Sequence, residues 1–159
     1  MIPSLVAIVG SPWDLLPPGI HAATLAEVRQ TFGYNPPRRA LFAGLLDATV
    51  HLSLVGCRQV LLNGSYVTGK PVPGDYDACW DPDGVDFAKL DTVFDDFDNG
   101  RAAQKARFGG EFFPSTVIEA GNGGTFAEFF QIDRFTGKKK GILAIALAKD
   151  ETVARRTKS

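Results

Sequence analysis

An α/β (α+β) fold, in one domain spanning residues 1–159, is expected from three observations. The chain has 159 residues, 45% of them hydrophobic and 22% charged, which is enough for one sizeable core. Apolar stripes of helical period alternate along it with short β-branched runs bounded by Gly, Pro and Asp. One such run, Asp75-Tyr76-Asp77-Ala78-Cys79-Trp80, alternates so that its polar face must look at something other than a dry core. The formal net charge of −1 and a pI near 6.1 give no whole-chain basic field, so no extended duplex DNA footprint is expected.

From the N-terminus, residues 1–19 read as an arm. Ser4 to Val9 is either an edge strand or a segment packing on the body, and the proline-rich SPWDLLPPG delays regular structure until Thr24. Leu5 to Val9 is apolar but lacks a basic leader region, and no apolar run approaches the roughly 18 residues that span a bilayer, so an unexported, cytoplasmic protein with no membrane partner is expected. Cys57 and Cys79 have no companions at zinc spacing and read as reduced, buried thiols.

Thr24-Leu25-Ala26-Glu27 has the form of a capping box and opens a helix to Phe32, closed by Gly33. Asn35-Pro36-Pro37 opens the main packing helix, which carries Leu41, Phe42, Leu45, Leu46, Ala48 and Leu52 and ends before Gly56. Arg38 and Arg39 in its first turn read as a solvated pair of charges. Gln59 to Leu62 and Asp75 to Trp80 are strands. Phe87, Leu90, Val93, Phe94 and Phe97 form the stripe of a further helix, stopped at Asn99-Gly100, and residues 101–108 are helical and basic. Glu111 to Ile118 is a strand that Pro114 marks as edge or bulged. After the loop at 121–124, Thr125 to Glu128 repeats the capping-box pattern before a short helix over 126–133, with a strand as the alternative. Lys138 to Lys140 read as a solvated edge guard, Gly141 to Leu147 as a strand buried on both faces, and 149–159 as a frayed tail.

The chemistry concentrates between Leu61 and Trp80. Asp75 and Asp77 point to the same side of a strand, and at about 5 Å in an effective dielectric near 20 their repulsion costs roughly 3 kcal/mol. A divalent cation between them would more than offset that. Oxygen-only ligands with room for water suit Mg²⁺ or Mn²⁺ better than zinc. Gly64-Ser65 closes the preceding strand, where glycine lets backbone N–H groups approach an anion and the serine hydroxyl can donate to a phosphate oxygen. Thr68 and Lys70 follow in the linking loop as further candidates for phosphate contact. His21 and His51 have no partner spacing, and an exposed ring at Trp80 or Tyr66 could stack on a base.

Leu62-Asn63-Gly64-Ser65 followed after nine residues by Asp75-Tyr76-Asp77-Ala78 resembles the signature of the DNA polymerase beta nucleotidyltransferase superfamily. The fuller text, GSYVTGKPVPGDYDACW with GGEFFPS and KKGILAIAL, is similar to a bacterial and phage branch of it, over residues 20–148. Its small members include the minimal nucleotidyltransferases of toxin–antitoxin pairs. The resemblance implies a mixed β-sheet flanked by helices, Mg²⁺ on Asp75 and Asp77, and nucleotide phosphates, with ATP as the expected NTP, near Gly64 and Ser65. It also implies transfer of NMP to a protein or RNA hydroxyl, and a third carboxylate serving as ligand or general base. The pattern departs here, since no Asp lies in the third strand; Glu111 is the first choice and Glu119 the second. A catalytically degenerate nucleotide- or partner-binding module is the alternative.

Overall fold

The structure, a computed structural model, describes residues 1–116 and 124–158. Its strands are β1 (Gly19–Ala22), β2 (Gln59–Asn63), β3 (Tyr76–Trp80), β4 (Gly110–Pro114) and β5 (Gly141–Ala146), and they form one mixed sheet in the order β1-β5-β2-β3-β4. β1 runs parallel to β5 and β3 parallel to β4, whereas β2 is antiparallel to both of its neighbours. Pro114 lacks an N–H and accordingly lies in an edge strand. The helices are α1 (Leu25–Phe32), α2 (Pro36–Leu54), α3 (Asp98–Phe108), α4 (Phe126–Phe129) and α5 (Glu151–Thr157). Among the described residues no helix is long and apolar enough to cross a membrane.

Strand alternation assigns the two faces of the sheet. Val60, Leu62, Ala78, Trp80, Phe112, Leu143 and Ile145 meet Leu25, Val28, Leu45, Leu52, Phe108 and Val153 of the helical layer in the main core. Leu61, Cys79, Phe113 and Ile142 point the other way and are covered by Phe130, which follows α4, and by Phe126, whose ring stacks on Phe113 at 4.2 Å. Both capping boxes form, at Thr24 with Glu27 and at Thr125 with Glu128. Asn35 caps α2 by accepting from the Arg38 N–H.

Several expectations are corrected. Residues 19–22 are a strand, although regular structure was expected only from Thr24; β1 exists because β5 supplies its ladder, a partner that local pattern does not announce. The segment before it carries one isolated bridge, Val6 to Leu15, and its Asp14 and Leu16 carbonyls accept from Gly69 and Gly141 N–H. The Phe87 to Phe97 stripe is a chain of turns with one short 3₁₀ segment (Thr92–Asp95), because Asp86, Asp91 and Asp96 each accept a nearby backbone N–H and so compete with helix formation. The helix expected over 126–133 is confined to α4. Of the 149–159 tail, residues 149–158 are described and are not frayed: Asp150 Oδ1 accepts from the N–H groups of Thr152 and Val153, Oδ2 accepts from Leu25 N–H at 2.8 Å, and α5 docks Val153 into the core. Arg38 is wholly buried although Arg39 is exposed, and Lys140 is buried. Trp80 and Tyr66 are fully buried and present no ring to solvent. Glu119, Ile118 and residues 121–123 lie outside the described residues.

Candidate functional site

The face of the sheet that carries Leu61, Cys79, Phe113 and Ile142 changes character within one row. Two residues along each strand stand Asn63, Asp77, Glu111 and, immediately before β5, Lys140. Asn63 pairs with Asp77 in the β2–β3 register and Asp77 with Glu111 in the β3–β4 register. Asp75 lies two residues before Asp77, so it extends the same face beyond the end of β3. A cleft of about 510 Å³ opens over this row, and Asn63, Gly64, Ser65, Thr68, Lys70, Asp75, Asp77 and Lys140 all line it.

Gly64 lies against Asp77. Its φ of +93° is one that L side chains rarely adopt, and a Cβ there would stand 3.2 Å from Asp77 Oδ2 and 3.1 Å from Asp77 N. Ser65 opens a 3₁₀ turn (Ser65–Val67), whose first N–H groups have no partner inside the turn. Its hydroxyl makes no hydrogen bond to any described residue. Thr68 is committed differently: its hydroxyl donates to Ser65 O at 2.6 Å and accepts from Lys70 N–H at 3.1 Å, so it shapes the loop from within.

Behind this loop sits Arg38. Its guanidinium donates to the carbonyls of Phe32 (3.1 Å), Tyr66 (2.7 Å), Thr68 (2.9 Å) and Lys70. Its Cζ lies 4.7 Å from the Tyr34 ring centroid and 5.5 Å from that of Tyr66. Three of the four carbonyls belong to the loop that follows Gly64, so α2 clamps the backbone that forms one wall of the cleft.

The carboxylates are treated in the opposite way. No hydrogen bond or ion pair from any described residue reaches the side chain of Asp75 or Asp77. Burial, and then the neighbouring charges of Asp75 and Glu111, push the Asp77 carboxyl up to about 6, against the pull of Lys140 and Arg101. Burial and Glu111 also raise Asp75, while Lys105, Arg134 and Lys70 oppose the rise. Lys140 donates to Asn63 Oδ1, and burial lowers its ammonium to about 8 despite Asp77 and Asp133 nearby. Glu111 is beside Asp77 but does not line the cleft: Arg101 Nε pairs with one of its oxygens at 2.9 Å and Lys105 with the other at 2.8 Å.

Among the described residues no three His, Cys, Asp or Glu side chains converge as a metal cage. Mg²⁺ does not require one, since it keeps several waters and binds through one or two carboxylates plus substrate phosphates. Asp75 and Asp77, unpartnered, mutually repelling and open to the cleft, fit that donor set.

Asn63, Lys140 and Arg38 were missed as parts of the site. Running the two-residue alternation of β5 back from Ile142 reaches Lys140, and the same alternation carries Leu61 on to Asn63. Arg38 lies four residues before Phe42 on the buried stripe of α2. Thr68 and Lys70, the candidates for phosphate contact, both line the cleft, although only Lys70 keeps its polar end available.

No curated protein and no solved structure was found to match the chain. A family model described as a family of unknown function (DUF6932) matches residues 11–146, an interval that holds the whole sheet and every cleft residue named above, and the chain belongs to that family.

Proposed function

We propose that the cleft is the active site of a Mg²⁺-dependent nucleotidyltransferase that moves NMP from an NTP to a hydroxyl on a protein or RNA. The observation that carries the reading is the pair Asp75 and Asp77, partly buried with no side-chain partner among the described residues, set against the Gly64–Ser65 turn. Mg²⁺ on these carboxylates would polarise the α-phosphate and offset the charge that develops in an in-line displacement. The chain's own groups do the rest. The Gly64–Ser65 turn, held by Arg38 through the loop that follows, cradles the phosphates. Lys70, Lys140 and Arg134, all lining the cleft, offset the charge of the leaving pyrophosphate. As the acceptor oxygen bonds to the α-phosphorus and the bond to pyrophosphate breaks, the hydroxyl proton would go to Glu111, which stands beside Asp77 but would first have to leave Arg101 or Lys105 and turn toward the cleft it does not now line.

A cytoplasmic setting and a toxin–antitoxin or phage-defence role belong to the same reading, through the small nucleotidyltransferases that the motif resembles. A second reading, a nucleotide-binding module without turnover, is favoured by one observation: both oxygens of Glu111 are already engaged. Incubation with α-labelled NTP, Mg²⁺ and cell protein or RNA tests both. Label transfer that is abolished by Asp75→Asn and by Asp77→Asn supports the enzyme, and transfer surviving both changes sinks the metal assignment. NTP binding by calorimetry without transfer, in the wild-type chain, selects the module.

A further inference from the structure

The cleft has in its lining apolar side chains that the phosphate and carboxylate chemistry does not use. Phe129, Ile132 and Phe135 line it and are 43%, 40% and 52% exposed, an unusual concentration of solvent-facing apolar side chains beside a charged row. They are held firmly. α4 turns Phe126 and Phe130 inward against Phe113, which leaves Phe129 facing out. Phe135 rides on a tight turn built by Asp133, which is 3% exposed and accepts from Thr136 N–H at 3.1 Å and from Thr136 Oγ1 at 2.7 Å. Backbone bonds from Gly137 N–H to Asp133 O, Asp133 N–H to Lys138 O and Lys140 N–H to Gln131 O tie this turn to the residue that enters the carboxylate row. The Arg134 guanidinium lies 4.9 Å from the Phe135 ring centroid and also lines the cleft.

The geometry points to Phe129, Ile132 and Phe135 as the ledge on which the nucleobase of the bound nucleotide stacks. This rests on the reading of Gly64–Ser65 and Asp75–Asp77 as the phosphate and metal end. The occupant follows from the lining: a ligand with an anionic end for Lys70, Arg134 and Lys140 and a flat apolar end for two phenyl rings is a nucleotide rather than a sugar phosphate or inorganic polyphosphate. None of the three ledge side chains carries a hydrogen-bonding group. The ledge therefore reads a π-face and not a base edge, so ATP and GTP bind alike and the smaller pyrimidine of UTP binds less tightly.

The test is calorimetric titration of the wild-type chain and of Phe129→Ala/Phe135→Ala with ATP, GTP, UTP and inorganic tripolyphosphate, each with Mg²⁺. Both rings are substantially exposed, so the double variant is expected to keep its melting temperature, which circular dichroism checks. ATP and GTP affinity should fall about 5- to 30-fold in the double variant while tripolyphosphate affinity stays within twofold. Unchanged ATP affinity overturns the ledge, as does an equal fall for ATP and tripolyphosphate. Unchanged ATP affinity with loss of self-association in the double variant replaces the ledge by a protein interface. Tripolyphosphate bound as tightly as ATP by the wild-type chain removes the ledge and leaves the phosphate end standing. Binding of neither ligand overturns the phosphate reading, and the ledge with it.

Discussion

Arg38 and Asp77 are both charges drawn away from water, one behind the 65–70 loop and one in front of it, and they are satisfied to opposite degrees. Arg38 is fully buried, yet its two terminal nitrogens donate to four carbonyls and the guanidinium lies against aromatic faces, with Nε alone left without a partner among the described residues. Asp77 has repelling neighbours and no hydrogen-bonding partner among the described residues. A protein that places four acceptors around one buried charge has the means to place some around another. The contrast has Arg38 holding the loop, and under the function proposed above it leaves Asp77 for the ligand, since unfavourable electrostatics persist where function requires them.

The largest effect belongs to Arg38. Arg38→Met strands the carbonyls of Phe32, Tyr66, Thr68 and Lys70 and should cost about 3–5 kcal/mol in urea unfolding. Arg38→Lys should recover only part of this, because one ammonium cannot span carbonyls that a planar fork reaches. A loss below ~1 kcal/mol for the methionine variant would break the comparison at its first half.

The sign reverses at Asp77. Its ordinary value is 3.8 and its value in the fold is about 6, so at pH 7 the folded state holds an ionised group at a cost of roughly 3 kcal/mol at most. Asp77→Asn should therefore stabilise the chain by about 1–3 kcal/mol while abolishing Mg²⁺-dependent transfer. Destabilisation by this isosteric change would mean that Asp77 is a structural group.

The same shift sets a pH window. Between pH 3.8 and about 6 the folded state binds the proton more tightly than the unfolded one. The stability due to this group is thus fully present below the unfolded value and lost as pH rises through about 6. Other carboxylates, such as Asp91 and Glu27, are lowered and pull the opposite way, so the informative quantity is wild type minus Asp77→Asn across pH 4–7. That difference should become progressively less favourable to the wild type as pH rises. Adding Mg²⁺ at pH 7 should recover part of it, and a flat difference curve would remove the electrostatic half of the contrast.

How much of this was legible depended on whether the signal was local. The α1 cap, the long α2 helix, β3 and the position of Gly64, Ser65, Asp75 and Asp77 were readable because each is fixed by neighbours within a few residues. β1 and α5 were not, since one needs β5 for its ladder and the other an aspartate that caps it while also accepting from Leu25. The Phe87 to Phe97 stripe misled because apolar period outweighed three aspartates able to hold turns. Arg38 and Lys140 were misread for one shared reason: a cation was assumed to be solvated even where the period of its helix or strand placed it inside.

The smallest effect is the sharpest comparison, because two glycines lining the same cleft act as probe and control. Gly64→Ala places a Cβ 3.2 Å from Asp77 Oδ2 on a residue with φ of +93°, so both backbone and carboxylate must give way. The expected cost is about 1–2 kcal/mol in stability. Gly74 lines the cleft too, but a Cβ there meets nothing within 4 Å, so Gly74→Ala should leave stability unchanged or slightly raised. The two should diverge further in Mn²⁺ titration, where only the Gly64 substitution displaces a carboxylate oxygen. Equal Mn²⁺ affinity in both variants would separate the glycine turn from the proposed metal carboxylates and leave Asp75 and Asp77 a site without the turn as its second wall.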